Sequence, residues 1–98
     1  MPSTMEAVVA ATAKHFKIDG AKLLAEHRTP YVSHARHVAM YMMRVRLWVS
    51  FGEIALHFRR DRGSAIQAVK KIDRIAKTDS GLYRDLAAIE RILDGGAP

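Results

Sequence analysis

The stretch FRRDRGSAIQAVKKI, residues 58–72, places three arginines and an aspartate ahead of a Gly-Ser pair, then runs into an apolar stripe interrupted by two lysines. The stripe reads as a helix, and the densest positive charge of the chain sits where that helix begins. A solvated helix start favours acids, because the aligned peptide dipoles leave it partly positive. A start flanked by Arg59, Arg60 and Arg62 is either a poor one or one built to receive an anion. The sequence on either side decides between the two.

Working outward, the pattern is helical throughout. Upstream, SFGEIALHF (residues 50–58) opens with Ser50 and carries Glu53 three residues later, a capping-box spacing. Phe51, Ile54, Ala55 and Phe58 form its buried side. Before it, a long helix starts at Pro30 or Ser33 and runs to Leu47, with Val32, Ala35, Val38, Ala39, Met42 and Met43 on its apolar face and Arg36, Arg44 and Arg46 off it. Ser3 and Glu6 box the start of a first helix carrying Met5, Val8, Val9, Thr12, Ala13 and Phe16. Asp19 caps a short second one with Leu23 and Leu24. Downstream of the quoted stretch, Ser64 opens a helix with Ala65, Ile66, Val69, Ile72 and Ile75 inward. Ser80 then caps a last helix with the stripe Leu82, Leu86, Ile89 and Leu93, which Gly95 and Gly96 stop. No strand alternation or internal repeat interrupts this order. None of these helices holds alone, so the expected fold is all-α: a six-helix bundle around one core, a single domain over residues 1–98 with a frayed tail at 95–98.

Composition narrows the function. The chain has 98 residues, a net charge of +6 and no cysteine. The last excludes disulfides, thiolate zinc sites and cysteine catalysis, and fits a reducing compartment. No stretch approaches the roughly 20 apolar residues that span a bilayer, and no basic leader precedes the first apolar run, so a cytoplasmic, nucleoid-associated protein is expected. Between Arg28 and Lys77 lie 11 of the 16 basic residues but only 3 of the 10 acids, making that segment +8 and the flanks together −2. A basic middle between near-neutral ends points to a polyanion partner.

A short capped helix, a polar break and a longer helix, over about residues 50–77, is the order of a helix-turn-helix. In that motif the second helix enters the major groove and its N-terminal residues meet base edges. The anion at the helix start is then DNA phosphate. Arg59 and Arg60 stand at the entrance as phosphate contacts. Arg62, Ser64 and Gln67 are candidates for base contacts, and Lys70 and Lys71 for gripping the backbone from the reading helix. Ser50 is a helix cap whose helix start also suits a phosphate. Arg74 and Lys77 read as solvated.

Several separated blocks together are more specific. ARHVAMYM (residues 35–42), SFGEIALHF (50–58), RD (60–61) and AVKKI (68–72) follow one another as in the C-terminal DNA-binding domain of DnaA, the bacterial replication initiator. That domain typically shows an ARQVAMYL-type helix, then S-L-P-E-I-G-x-x-F, then G-G-R-D-H-T-T-V-x-H-A and a basic helix ending KI. KHFKIDGAKLLAEHR (residues 14–28) resembles the family's leading segment, and the likeness extends over about 90 of the 98 residues. It implies a TrpR-like helical fold, double-stranded DNA as partner, and phosphate contacts from Arg36 and Arg44, with Arg28 counted beside them. It also implies that the positions held here by Arg62, Gly63 and Ser64 approach the bases. All three differ from the family's His-Thr-Thr, one glycine ahead of them is missing, the L-P-E proline is Gly52, and the basic residue implied to enter the minor groove falls near Pro30. The docking frame is kept and the reading head rewritten. Arg62 reaching guanine O6 and N7 is a natural replacement, worth about 1–3 kcal/mol of discrimination if bidentate.

The initiator's ATPase needs a G-x-x-x-x-G-K-[ST] loop, which is not in this sequence. A chain complete as written binds DNA without initiating replication alone. The reading that follows is a transcription regulator, with phage-like or gene-transfer-agent genes as one setting and a second regulatory protein or RNA polymerase as a further partner. A replication-origin regulator competing with or assisting DnaA is the alternative. A helical protein-interaction module built on the last helix is the rival from another class, against which the last helix closing the bundle over the first is preferred. No cofactor, metal, membrane or small-molecule substrate is expected. His34 and His37 have ligand-compatible spacing but no carboxylate or cysteine nearby to complete a set, and phosphate contact suits them better. Scattered Ser, His and Asp residues form no catalytic pattern, so no enzyme is expected. Met40, Met42, Met43 and Trp48 read as core and helix-end packing.

Overall fold

The computed structural model describes residues 4–26 and 29–95. Those residues hold six helices and no strand: α1 (Met5–Phe16), α2 (Gly20–Leu24), α3 (Pro30–Leu47), α4 (Phe51–His57), α5 (Arg62–Ala76) and α6 (Ser80–Leu93). α3 is the central element, packed against α1, α2, α4 and α5, while α6 covers α1 and the far side of α5. Every helix contributes to one connected core that includes Val8, Leu23, Met43, Ile54, Phe58, Ile72 and Ile89. The all-helical architecture is the one expected, and α6 does close over α1.

Three helix starts differ from their sequence reading, two of them, α5 and α6, for one physical reason. The caps are Thr4, Asp61 and Asp79, not Ser3, Ser64 and Ser80; Ser3 itself lies outside the described residues. Asp61 Oδ1 accepts from the Ser64 amide at 2.7 Å, and Asp79 Oδ1 from the Leu82 amide at 3.0 Å. An ionised acceptor facing the positive helix end outcompetes a hydroxyl further along. Asp19 and Ser50 cap α2 and α4 as read.

The long helix carries two corrections. Arg36, expected off the apolar face, is only 3% exposed. Its Nε donates to the Leu23 carbonyl at 2.8 Å and its Nη2 to the Ala25 carbonyl at 2.9 Å. These carbonyls close the C-terminal end of α2, where no intrahelical donor is available, so the guanidinium supplies both bonds and meets the negative end of the helix. Trp48, expected to pack, is 75% exposed. It follows α3 in the left-handed region at φ 56°, with the Arg44 guanidinium 5.3 Å from its ring. Smaller differences lie along the stripes. Leu24 is exposed, and Ile66 is half-buried while Ala68 joins the core, because the buried line on α5 is 65, 68, 69, 72.

Candidate nucleic-acid interface

The turn between α4 and α5 sets the site. Arg60 donates its amide to the Ala55 carbonyl at 2.8 Å, and Arg59 to that of Leu56 at 3.1 Å. Closing the chain this way puts Arg59 at φ 54°, in the region that favours glycine. Arg59 thus does the conformational work of a glycine while carrying a charge. Asp61 then caps α5. The amide and hydroxyl of Ser64 both hold its carboxylate and keep it below the usual carboxylate range.

Helical residues advance by about 100° each. Gly63, Gln67, Lys70 and Arg74 therefore form the outermost stripe of α5, opposite the core line, and all four are exposed. Ser64 and Lys71 stand on the flank toward α3. There α3 contributes His37, and a cleft lined by His37, Gly63, Ser64, Gln67, Lys71 and Arg74 results. A second, strongly polar cleft adjoins it, lined by Ser33, Arg36, His37, Arg59, Arg60 and Ser64. Asp61 lines both clefts, and Glu26 is the other carboxylate of the second. His37 is pulled below the ordinary imidazole value by burial and by Lys71, Arg36, His34 and Arg60 around it.

The expected site residues divide accordingly. Gly63, Ser64, Gln67, Lys70 and Lys71 come together on one side of α5, and Arg59 and Arg60 at its entrance. Arg62 does not join them: as the first residue of α5 it lies about 140° around the helix from Gln67. Arg36 lines the second cleft but is almost wholly buried, its guanidinium engaged by the carbonyls at the end of α2; burial and Arg60 also lower its pKa. Arg44 sits at the α3–α4 joint, its guanidinium 4.5 Å from the Phe51 ring and its Nη1 donating to the Val49 carbonyl at 3.2 Å. The Ser50 hydroxyl accepts from the Glu53 amide. Arg28 lies outside the described residues. Arg74, Ser33 and His37 line the clefts without having been singled out as DNA contacts, except for His37 as a phosphate neighbour. The spacing 63, 67, 70, 74 was the available signal for Arg74. Among the described residues no group of three His, Cys, Asp or Glu is placed to hold a metal ion, and no helix is long and apolar enough to cross a membrane.

Residues 5–72, from α1 into the last turns of α5, match the family described as bacterial dnaA protein helix-turn-helix. Similar proteins include the chromosomal replication initiator protein DnaA of Xanthobacter autotrophicus, 31% identical over 86 residues that make up 87% of this chain and 17% of that protein. The DnaA of Caulobacter vibrioides is 32% identical over 93 residues, 94% of this chain and 19% of that protein. The DnaA of Sphingopyxis alaskensis is 30% identical over 92 residues, 93% and 20%. The chain thus spans about a fifth of the length of these relatives. With α4 and α5 in helix-turn-helix order inside the matched region, the chain belongs to the bacterial DnaA helix-turn-helix family.

Proposed function

We propose that this chain binds double-stranded DNA with sequence preference, laying α5 in the major groove, and that it regulates transcription. The observation that supports this best is the outer stripe of α5. Gly63, Gln67, Lys70 and Arg74 carry two charges of one sign, no acid and no apolar bulk, on the second helix of a DNA-binding helix-turn-helix. In this reading Ser64 and Gln67 meet base edges, Gly63 lets the backbone approach, and Arg62 reaches the groove from the helix tip. Arg59, Arg60, Lys70 and Lys71 hold phosphates, with Ser50 and Arg44 at the margin. A module this small covers little DNA, so tandem sites, a second regulatory protein or RNA polymerase would supply the rest of the specificity.

The similarity to chromosomal replication initiator proteins supports a second reading, in which the chain acts at replication origins beside or against DnaA. Selection from a random duplex library separates the two. An enriched motif unlike the initiator's binding site supports an independent regulator, and one that coincides with it supports the origin reading. Absence of any salt-sensitive duplex binding would refute both.

A further inference from the structure

His37 is the one side chain that lines both polar clefts and also carries a titratable ring. It is half-buried on α3, and charged groups face it from every neighbouring element. From its own helix these are His34 and Arg36, from α5 Lys71 with Lys70 and Arg74 beyond it, from the turn Arg59, Arg60 and Asp61, and from the end of α2 Glu26. His27 and Arg28 lie outside the described residues. Of the two carboxylates, Asp61 is already occupied by the amide and hydroxyl of Ser64. The balance around the ring is therefore cationic, and a cationic ring among cations sheds its proton.

We propose that His37 couples DNA binding to proton uptake: the imidazole is neutral in the free protein and becomes a phosphate-bound imidazolium when a backbone phosphate occupies the cleft between α3 and α5. This rests on the DNA-binding reading above. A phosphate brought into the cleft offsets Lys71 and Arg60 and adds an opposite charge beside the ring, so both changes favour the protonated form. An ordinary imidazole changes charge between about pH 5 and 8, so a ring held below its ordinary value and then met by a phosphate responds near neutral pH. By linkage, whatever raises the ring's proton affinity on binding also strengthens binding as pH falls. One proton limits the gain to about tenfold in affinity per pH unit. The contact is with a phosphate and not a base, so the effect is independent of sequence.

The test uses the full chain and a mixed-sequence duplex at fixed ionic strength. Isothermal titration in two non-phosphate buffers of different ionisation heat counts the protons taken up. The wild-type chain binds several-fold more tightly at pH 6 than at pH 8, with uptake of a fraction of one proton. His37→Gln abolishes the uptake and flattens the pH profile, whereas His57→Gln, whose ring lines neither cleft and lies 4.0 Å from Glu6 on α1, keeps both. NMR titration of the wild-type His37 ring guards against a misfolded variant, because its midpoint rises when duplex is added. Duplex binding without proton uptake, uptake retained in His37→Gln, or a midpoint that duplex leaves unmoved would overturn the coupling and leave the DNA reading standing. No duplex binding at any pH would overturn both.

Discussion

Arg36 and His37 are neighbours in sequence with opposite fates, and each carries a prediction. The Arg36 guanidinium closes the end of α2 through two charge-assisted bonds to carbonyls. Arg36→Ala leaves the buried Leu23 carbonyl without this donor and leaves that of Ala25 with only the longer 3.5 Å bond from Arg60 Nη2, so it should destabilise the fold by about 2–3 kcal/mol. Arg36→Lys recovers only part of this, because an ammonium lacks the planar fork. Thermal unfolding followed by circular dichroism measures both. Such a variant also loses DNA affinity, but in step with folded fraction and not with salt. At His37 the sign runs through pH. Its folded pKa lies below the ordinary imidazole value, so its contribution is fully present above about pH 6.5 and is lost as pH falls through the folded value. The melting temperature of the free protein should drop between pH 7 and pH 5, and drop less in His37→Gln. On α5, Gln67→Ala should flatten sequence preference more than it weakens non-specific binding. Lys70→Ala should weaken all duplexes alike and lower the salt slope by about one.

The elements show which parts of the fold could be read in advance. Apolar spacing was sufficient for the longer helices, since burial on one face leaves a 3.6-residue trace along the chain: 8, 9, 12, 13 and 16 on α1, and 82, 86, 89 and 93 on α6 are cases, whereas the five-residue α2 was read from its Asp19 cap. Boundaries failed where two capping side chains competed within three residues, as with Asp61 against Ser64. The burial of Arg36 was illegible because its partners are backbone carbonyls of another helix, and a carbonyl carries no sequence identity. The site was half legible. Charge density located the start of α5, but which flank of the helix each cation takes depends on the first helical residue, and reading Ser64 in place of Asp61 as the cap hid the placement of Arg62. The helix ends hold a further prediction. α1, α3 and α4 are followed by Lys17, Trp48 and Arg59 at φ between 54° and 57°, none of them glycine. Arg59→Gly should relieve this conformation and raise stability by up to about 1 kcal/mol, while weakening duplex binding through the lost charge. Chemical denaturation and a duplex titration on the same variant measure the two effects separately.

At the scale of the molecule, charge and size set the expectations. The backbone measures 34 × 30 × 26 Å, so its longest extent matches one turn of B-DNA, about 34 Å. One copy should therefore protect about one turn, and two copies on the same face of a duplex need sites at least that far apart; hydroxyl-radical footprinting shows either. If four to six of the cations at the clefts and along α5 meet phosphates, the logarithm of affinity should fall against that of salt with a slope of about −4 to −5. A slope near zero would instead point to an apolar contact, and the groove between α3 and α6 beside Tyr41, Val45 and Tyr83 would be the place to seek it.

Trp48 is the sole tryptophan of the chain and stands in water at the joint of α3 and α4. An indole that is already hydrated in the native state emits at long wavelength before and after denaturation. Its spectrum is thus a poor gauge of unfolding, and a melt recorded by tryptophan emission alone would look featureless for a well-behaved protein. The same exposure makes the ring a built-in reporter of contact. Whatever settles on that joint, nucleic acid or protein, will quench the emission or shift it to the blue with no label attached.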